Sequence, residues 1–471
     1  MKNITIRIAL IVCTLGLLTA SHSQAQITLL ATGILDHSRA GADSDLSGLT
    51  YNLENGAPAN LLGGLGSALA YASGNTFLAL PDRGPNAKPY DDAVDQTVSY
   101  INRFHTITMD LDPNPPGSAL PFTLTPTLRA TTLLWSLTPL VYGTGDGLGV
   151  GSGVPPVNNF FLHFFTGRSD NFDPNQNSGD PNDARFDTEG IRVSNDGLSV
   201  FISDEYGPYV YQFSRFTGLR LRSYQLPDSF YVSNLRPVGK DETSANTSGR
   251  TANKGMEGLA ITPDGRTLVG IMQNALIQDA ALGGDAANLL RIVTIDILTG
   301  HTRQYAYVAT PGMGVSEILA INNHEFLVDE RDGKGLEGGD NSTSNKAKFK
   351  QLFKIDLAGA VDISNLDGTT AATHAVNKTL FLDIVSALTS NSFLAADHIP
   401  SKIEGIAFGP DVKMGGTTLH TLWVSNDNDF VLTTNDVPSI PNHNQVFVFG
   451  FTDADLNGSK FVPQQFRGFG F

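Results

Sequence analysis

The chain holds a single cysteine, Cys13, among 471 residues. A disulfide framework, a cysteine nucleophile and a thiolate metal site are therefore excluded. Basic residues are also scarce, 31 Lys and Arg against 47 Asp and Glu, and the formal net charge is −16. No cluster of Lys and Arg marks a nucleic-acid groove, so no nucleic-acid partner is expected. Beyond Gln26 no apolar run approaches the ~20 residues that a membrane-spanning helix needs, so no transmembrane segment is expected either. A Gly-x-Ser-x-Gly elbow, a P-loop and a dinucleotide fingerprint are all missing, which removes three common routes to hydrolysis and nucleotide binding. His37, His105, His163, His374, His398 and His443 show no metal-ligand spacing and read as surface or loop residues.

The first segment that is present is a leader. Lys2 and Arg7 precede an apolar run from Ile8 to Leu18, and Ser23-Gln24-Ala25 supplies the small residues of a cleavage site. This predicts a signal peptide over residues 1–25, export to the periplasm or the exterior, and a mature domain over 26–471. Cys13 lies inside the apolar run behind Val12, which is the wrong context for a lipoprotein.

Glycine (48) and proline (24) are spread through the remainder, and apolar runs of period two recur between Asp-Gly, Asn and Pro turn signals. Repeats choose among the all-β architectures. A polar residue and a small step open an apolar strand, a turn follows, and a second apolar strand ends in acidic or amide residues. The copies begin at Ser47-Gly48-Leu49, Glu189-Gly190-Ile191, Glu257-Gly258-Leu259, Ser316-Glu317-Ile318 and Glu404-Gly405-Ile406. Two further strand-like runs follow each, and four strands make a propeller blade. The expected fold is all-β, a single β-propeller of five blades. Six is the alternative, because residues 112–188 are long enough to hide another blade. Ile27 to Leu35 is a strand without a blade and is expected to pair with Gln445 to Phe451, closing the ring.

The first strand of each propeller blade lines the central channel. Ser47, Glu189, Glu257, Ser316 or Glu317, and Glu404 would then converge on one axis. Each Glu alone could simply accept hydrogen bonds from the neighbouring blade. As a set, several carboxylates close together repel one another, and an oxygen-preferring cation such as Ca²⁺ relieves that repulsion. The ends of the second strands give a second group: Asp82, Arg83, Asp204, Glu205, Glu330 and Arg331 are the candidate catalytic residues. An arginine beside an acidic ring suits a phosphate or carboxylate.

Leu80-Pro81-Asp82-Arg83-Gly84, the block from Glu257 through Pro263-Asp264-Gly265 to Met272-Gln273-Asn274, Asp329-Glu330-Arg331 and Ile403-Glu404-Gly405-Ile406 stand in the order found in phytase-like proteins. Over roughly residues 40 to 450 the chain resembles this family, often described as esterase-like proteins of the phytase family. The resemblance implies an exported β-propeller with a hydrolase assignment. The Ser and Glu alternation at the blade starts is also similar to calcium-activated nucleotidases, which are five-bladed with a central calcium. Together these readings predict a monomeric, calcium-dependent hydrolase of phosphoesters or related esters acting on a small anionic or ester substrate. The alternative is a non-catalytic, calcium-stabilised propeller that binds a ligand or protein.

Overall fold

The structure, a computed structural model, describes residues 27–86, 97–145 and 150–467. The expected leader at 1–25 lies outside them. Among the described residues are five four-stranded antiparallel sheets. Their inner strands are Ala68–Ser73, Thr188–Val193, Met256–Ile261, Gly314–Ala320 and Lys402–Met414. These strands neighbour one another in chain order, and the fifth returns to the first. The fold is a five-bladed propeller.

The turn residues account for the repeated inner hairpins. In the second blade Asp196 Oδ1 accepts from Leu198 N at 2.9 Å and from the Ser194 hydroxyl at 2.5 Å. Asp264 does the same in the third blade with Arg266 N and the Thr262 hydroxyl. The following Gly197 and Gly265 take φ of +72° and +73°, a region that side chains disfavour. Alternate residues of the strands then face neighbouring blades, and that surface is apolar, Ile, Leu, Val and Phe joined by Ala, Tyr and Met.

The ring closes as the sequence predicts. Thr28–Ile34 pairs antiparallel with Gln445–Phe451 and becomes the outer strand of the blade built on Lys402–Met414. Residues 112–188 hold no further blade among the described residues. They contain the end of the first blade, a two-residue ladder of Trp135–Ser136 with His163–Phe164, and irregular chain.

One expected strand is misplaced in the sequence reading. The first blade's inner strand is Ala68–Ser73, and Ser47-Gly48-Leu49 lies outside it. Ser47 N and Oγ both donate to Asp45 Oδ1, at 2.8 and 2.6 Å, and Gly48 turns the chain at φ +75°. A side chain closing a tight turn on its own neighbour cannot start a strand.

Deleting residues through Ile34 should uncover Gln445–Phe451 as an open edge. The expected outcome is a melting temperature lower by roughly 10 °C or more, with higher-order species on size exclusion. An unchanged, monodisperse protein would show that the closure contributes nothing.

Candidate metal and active site at the channel mouth

Register fixes which residues meet. Ala68 pairs with Leu80, Ile191 with Ile202, Leu259 with Gly270, Ile318 with Val328 and Ile406 with Val424. Two positions before these inner-strand residues stand Gly66, Glu189, Glu257, Ser316 and Glu404. In the last four blades the register shifts at that point, between Thr188 and Ile191, Met256 and Gly258, Val315 and Glu317, and Ile403 and Ile406. Such a bulge re-aims a side chain. Here it accompanies the entry of Glu189, Glu257, Ser316 and Glu404 into one cavity of about 620 Å³ at the channel mouth.

Glycine after the glutamate is a packing requirement. A Cβ on Gly190 would lie 2.8 Å from Leu259 N, and one on Gly258 would lie 2.7 Å from Ile318 N. The inner strands of adjacent blades touch backbone to backbone there, which draws the glutamates together. In the first blade Gly66 packs on Asn426 O, where a Cβ has no room, so that blade contributes no carboxylate at this level.

The second strands add Arg83, Glu205, Gln273, Arg331 and Asp427 to the same cavity. Asp187, Glu189 and Glu205 are buried, and each offers an oxygen within 4.8 Å of the other two. Asp187 Oδ1, Glu205 Oε1 and Glu257 Oε2 are buried without a hydrogen-bond partner among the described residues. Burial raises the pKa of the Glu205 carboxyl to about 7, helped by Asp187 and opposed by a hydrogen bond with Glu257. Burial, and then Glu205 and Glu404, push Glu257 well above its ordinary value. Glu189 is raised well above its own by burial and then by Glu257, Asp187 and Glu205. Acidic oxygens crowded together without donors fit a hard cation, whose ligands are carboxylates and water. Asp187, Glu189, Glu205 and Glu257 are the residues that would hold it.

The cations around this group are largely committed. Arg83 pairs with Asp187 at 2.7 Å. Arg331 pairs with Glu404 and donates through Nε to Ser316 Oγ at 2.7 Å. Lys402 pairs with Asp427 at 2.8 Å and with Asp429. Asp82 lines the cavity beside Asp427, and burial followed by that neighbour raises its pKa well above normal.

Of the residues singled out from sequence, the structure brings Asp82, Arg83, Glu189, Glu205, Glu257, Ser316, Arg331 and Glu404 to this cavity. Asp204 accepts from Asp187 N at 3.1 Å, Tyr206 N at 3.0 Å and Gly207 N at 3.2 Å, so it is turned to a loop backbone. Glu330 is held between Tyr307 Oη, Thr310 N and Lys378 Nζ. Both are one residue before a cavity-facing side chain, and strand alternation sends them to the other face. Glu317 accepts from Leu259 N and Ile318 N, both at 2.9 Å, and pairs with Arg192. It performs the inter-blade bonding expected of a lone Glu at a blade start. Ser47 remains in its turn with Asp45.

Sequence reasoning missed Asp187, Lys254 and Lys402. Asp187 stands two residues before Glu189 and was readable only as part of Phe186-Asp187-Thr188-Glu189, a pattern that no other blade repeats.

The raised carboxyls set a pH dependence for the metal-free protein. Unfolded glutamates ionise near ~4.3, whereas folded Glu205 keeps its proton to about 7. The folded state therefore binds more protons across that window. Stability falls as pH rises from about 4.5 to about 7 and levels off above it. Chelated protein should melt several degrees lower at pH 8 than at pH 5.5, and Glu205→Gln should flatten that slope. A melting temperature independent of pH in both proteins would contradict this electrostatic account.

Comparison with known proteins gives matches of three kinds. An uncharacterized secreted protein of Arthroderma benhamiae is 36% identical over 140 residues, covering 26% of this chain and 27% of the relative. The chain thus spans about a quarter of the curated relative that it matches. Among solved structures, the periplasmic gluconolactonase PpgL of Pseudomonas aeruginosa aligns with a TM-score of 0.33 and 13% identity, over 88% of this chain and 98% of that one. The Cps50 propeller domain of Myceliophthora thermophila aligns with a TM-score of 0.29 and 8% identity, over 82% and 83%. Scores this low carry nothing about activity. The phytase-like family, described as esterase-like activity of phytase, matches residues 60–430. That span begins just before the first inner strand and reaches past Asp427, so it contains all the cavity acids named above. The chain belongs to the phytase-like family.

Proposed function

We propose that the protein is an exported, calcium-dependent hydrolase of phosphoesters or related esters that works at the channel mouth. The observation that carries this reading is the convergence of buried Asp187, Glu189 and Glu205, the latter two lining a cavity large enough for a small molecule. Bound calcium would polarise the substrate oxygen that takes up charge during the reaction. Asp82 is the base: its carboxyl lines the cavity and, ionised, takes a proton from the attacking water. The water oxygen bonds to the acyl or phosphoryl centre, the ester bond breaks, and the departing alkoxide takes the proton back. Arg331 donates to Ser316 through Nε and to Glu404 through Nη2, which leaves Nη1 for a substrate oxygen. Arg83, held by Asp187, balances the acidic group from the first blade.

A second reading, a binding module without turnover, draws on the ion pairs that already occupy Arg83, Arg331 and Lys402. Hydrolysis of p-nitrophenyl phosphate and p-nitrophenyl acetate separates the two. The expected outcome is activity that a chelator removes and calcium restores. Asp82→Asn should lower kcat by about 10²- to 10⁴-fold, and Glu189→Gln should weaken the calcium response of both rate and melting temperature. Asp204→Asn should lower stability with the kcat of the folded fraction retained. Calcium-stabilised protein that hydrolyses neither ester would establish the binding module instead. Activity indifferent to the chelator would remove calcium from the reading.

A further inference from the structure

The cavity is not uniform. Over the first, second and fifth blades its wall is acidic. Over the third and fourth it carries Glu257, Arg331 and Asp332 together with the amides Gln273, Asn274 and Asn288 and the apolar Ala309 and Met313. Two cations stand at this second wall, Arg331, which pairs with Glu404, and Lys254. Among the described residues Lys254 makes no ion pair, and its Nζ donates to the neutral Gln273 Oε1 at 3.1 Å. The other cations of the cavity, Arg83, Arg331 and Lys402, all face a carboxylate.

The backbone holds Lys254 there. Asn253 adopts φ +54°, a conformation that few residues other than glycine take. Lys254 N closes the turn on Thr251 O at 3.1 Å. Gly255 then packs directly on the second blade, where a Cβ would lie 2.7 Å from Glu205 Cα. Gly255 O in turn accepts from Gln273 N at 2.9 Å. A left-handed residue on one side and an obligatory glycine on the other fix a half-buried ammonium at the rim, next to the acidic group but outside ion-pair distance of it. The side-chain amides of Asn274 and Asn288 make no hydrogen bond among the described residues, so their N–H groups are available in the same cavity.

We propose that Lys254 is the substrate-recognition residue of this cavity and binds a compact oxyanion, with the amides of the second wall completing the contact. This rests on the hydrolase reading for its substrate but not for the anion site itself. A lysine meets an oxyanion as a point charge, so phosphate and carboxylate share the chemistry.

The test is calorimetric titration of the full chain, calcium-loaded, with inorganic phosphate and separately with acetate, for wild type, Lys254→Ala and Lys254→Arg. Steady-state kinetics on p-nitrophenyl phosphate and the uncharged p-nitrophenyl acetate run in parallel. Phosphate binding should weaken at least tenfold in Lys254→Ala and be largely kept in Lys254→Arg. KM for the phosphate ester should rise by a similar factor, with KM for the acetate ester unchanged. Tighter binding of acetate than of phosphate would keep the site and assign it to carboxylates. Should Lys254→Ala fold poorly, Lys254→Met keeps the stem and supplies the same comparison. Wild type that binds neither anion, or Lys254→Ala that binds phosphate as wild type does, would overturn the proposal whatever the hydrolytic activity. Lysine-dependent phosphate binding without hydrolysis of either ester would support the anion site and refute the hydrolase reading.

Discussion

The contact on which the rest depends is the backbone approach of adjacent inner strands at the Glu-Gly step. Gly190 against Leu259, Gly258 against Ile318 and Gly405 against Ala68 leave no room for a Cβ. The blades therefore meet at the closest distance that a peptide chain permits, and the residue before each glycine has nowhere to go but the axis. The bulge at the same position supplies the turn of the side chain. Glu189, Glu257 and Glu404 are thus gathered by van der Waals packing of a neighbouring residue type, against their own electrostatic preference. The fourth blade breaks the pattern: Glu317 takes the glycine's place and binds backbone amides, and Ser316 takes the glutamate's.

Packing that forces like charges together must be balanced elsewhere in the channel, and the balance is local. Arg331 sits between Glu404 and Ser316, and Arg83 beside Asp187. Farther along the axis Arg192 crosses from the second blade. It donates to Leu69 O at 2.9 Å in the first blade and to Ile318 O at 3.0 Å in the fourth, and pairs with Glu317 at 2.9 Å. A guanidinium shared by three blades satisfies carbonyls that would otherwise be buried without donors, and it separates the acidic mouth from the opposite end. At that end a crevice of about 80 Å³ is lined by Leu69, Phe408 and the chain at Phe461 to Gln464. Val462 N bonds Ile321 O and Gln464 Nε2 bonds Val193 O, so this segment spans the fourth and second blades.

The features legible in the sequence were those that recur. Glu-Gly steps, Pro-Asp-Gly and Asn-Asp-Gly turns and the unpaired strand at Ile27 to Leu35 repeat or complete a pattern, and the hairpins and ring closure followed from them. Ser47-Gly48-Leu49 imitates the pattern, because a serine that closes a turn and a serine that starts a strand look alike until Asp45 is seen to hold it. Adjacent charged residues at the strand ends, Asp204-Glu205 and Glu330-Arg331, all read as channel residues from sequence. Alternation admits only one of each pair, and the register needed to choose is set by bulges that leave no mark in the composition. Asp187 and Lys254 escaped because they belong to one blade each, and a repeat argument is blind to whatever is not repeated.

That blindness coincides with where chemistry has to be. A ring built only of repeated residues would be near-symmetric and would treat every approach to the axis alike. A substrate has unlike ends, so a site that orients one must break the symmetry. Here the breaks are specific. Gly66 removes a carboxylate from the first blade, because Asn426 O occupies the space of a side chain. Asp187 adds one to the second. Gln273 stands where the other blades place a charged Arg83, Glu205, Arg331 or Asp427, and it holds Lys254 by a neutral oxygen instead of a carboxylate. Negative charge consequently accumulates toward the second blade, while an uncommitted ammonium remains at the third. Three departures from the repeat thus leave the cavity with unlike sides, carboxylates crowded at the second blade and an ammonium beside a neutral amide at the third, and a small polar molecule at the axis meets different chemistry in different directions.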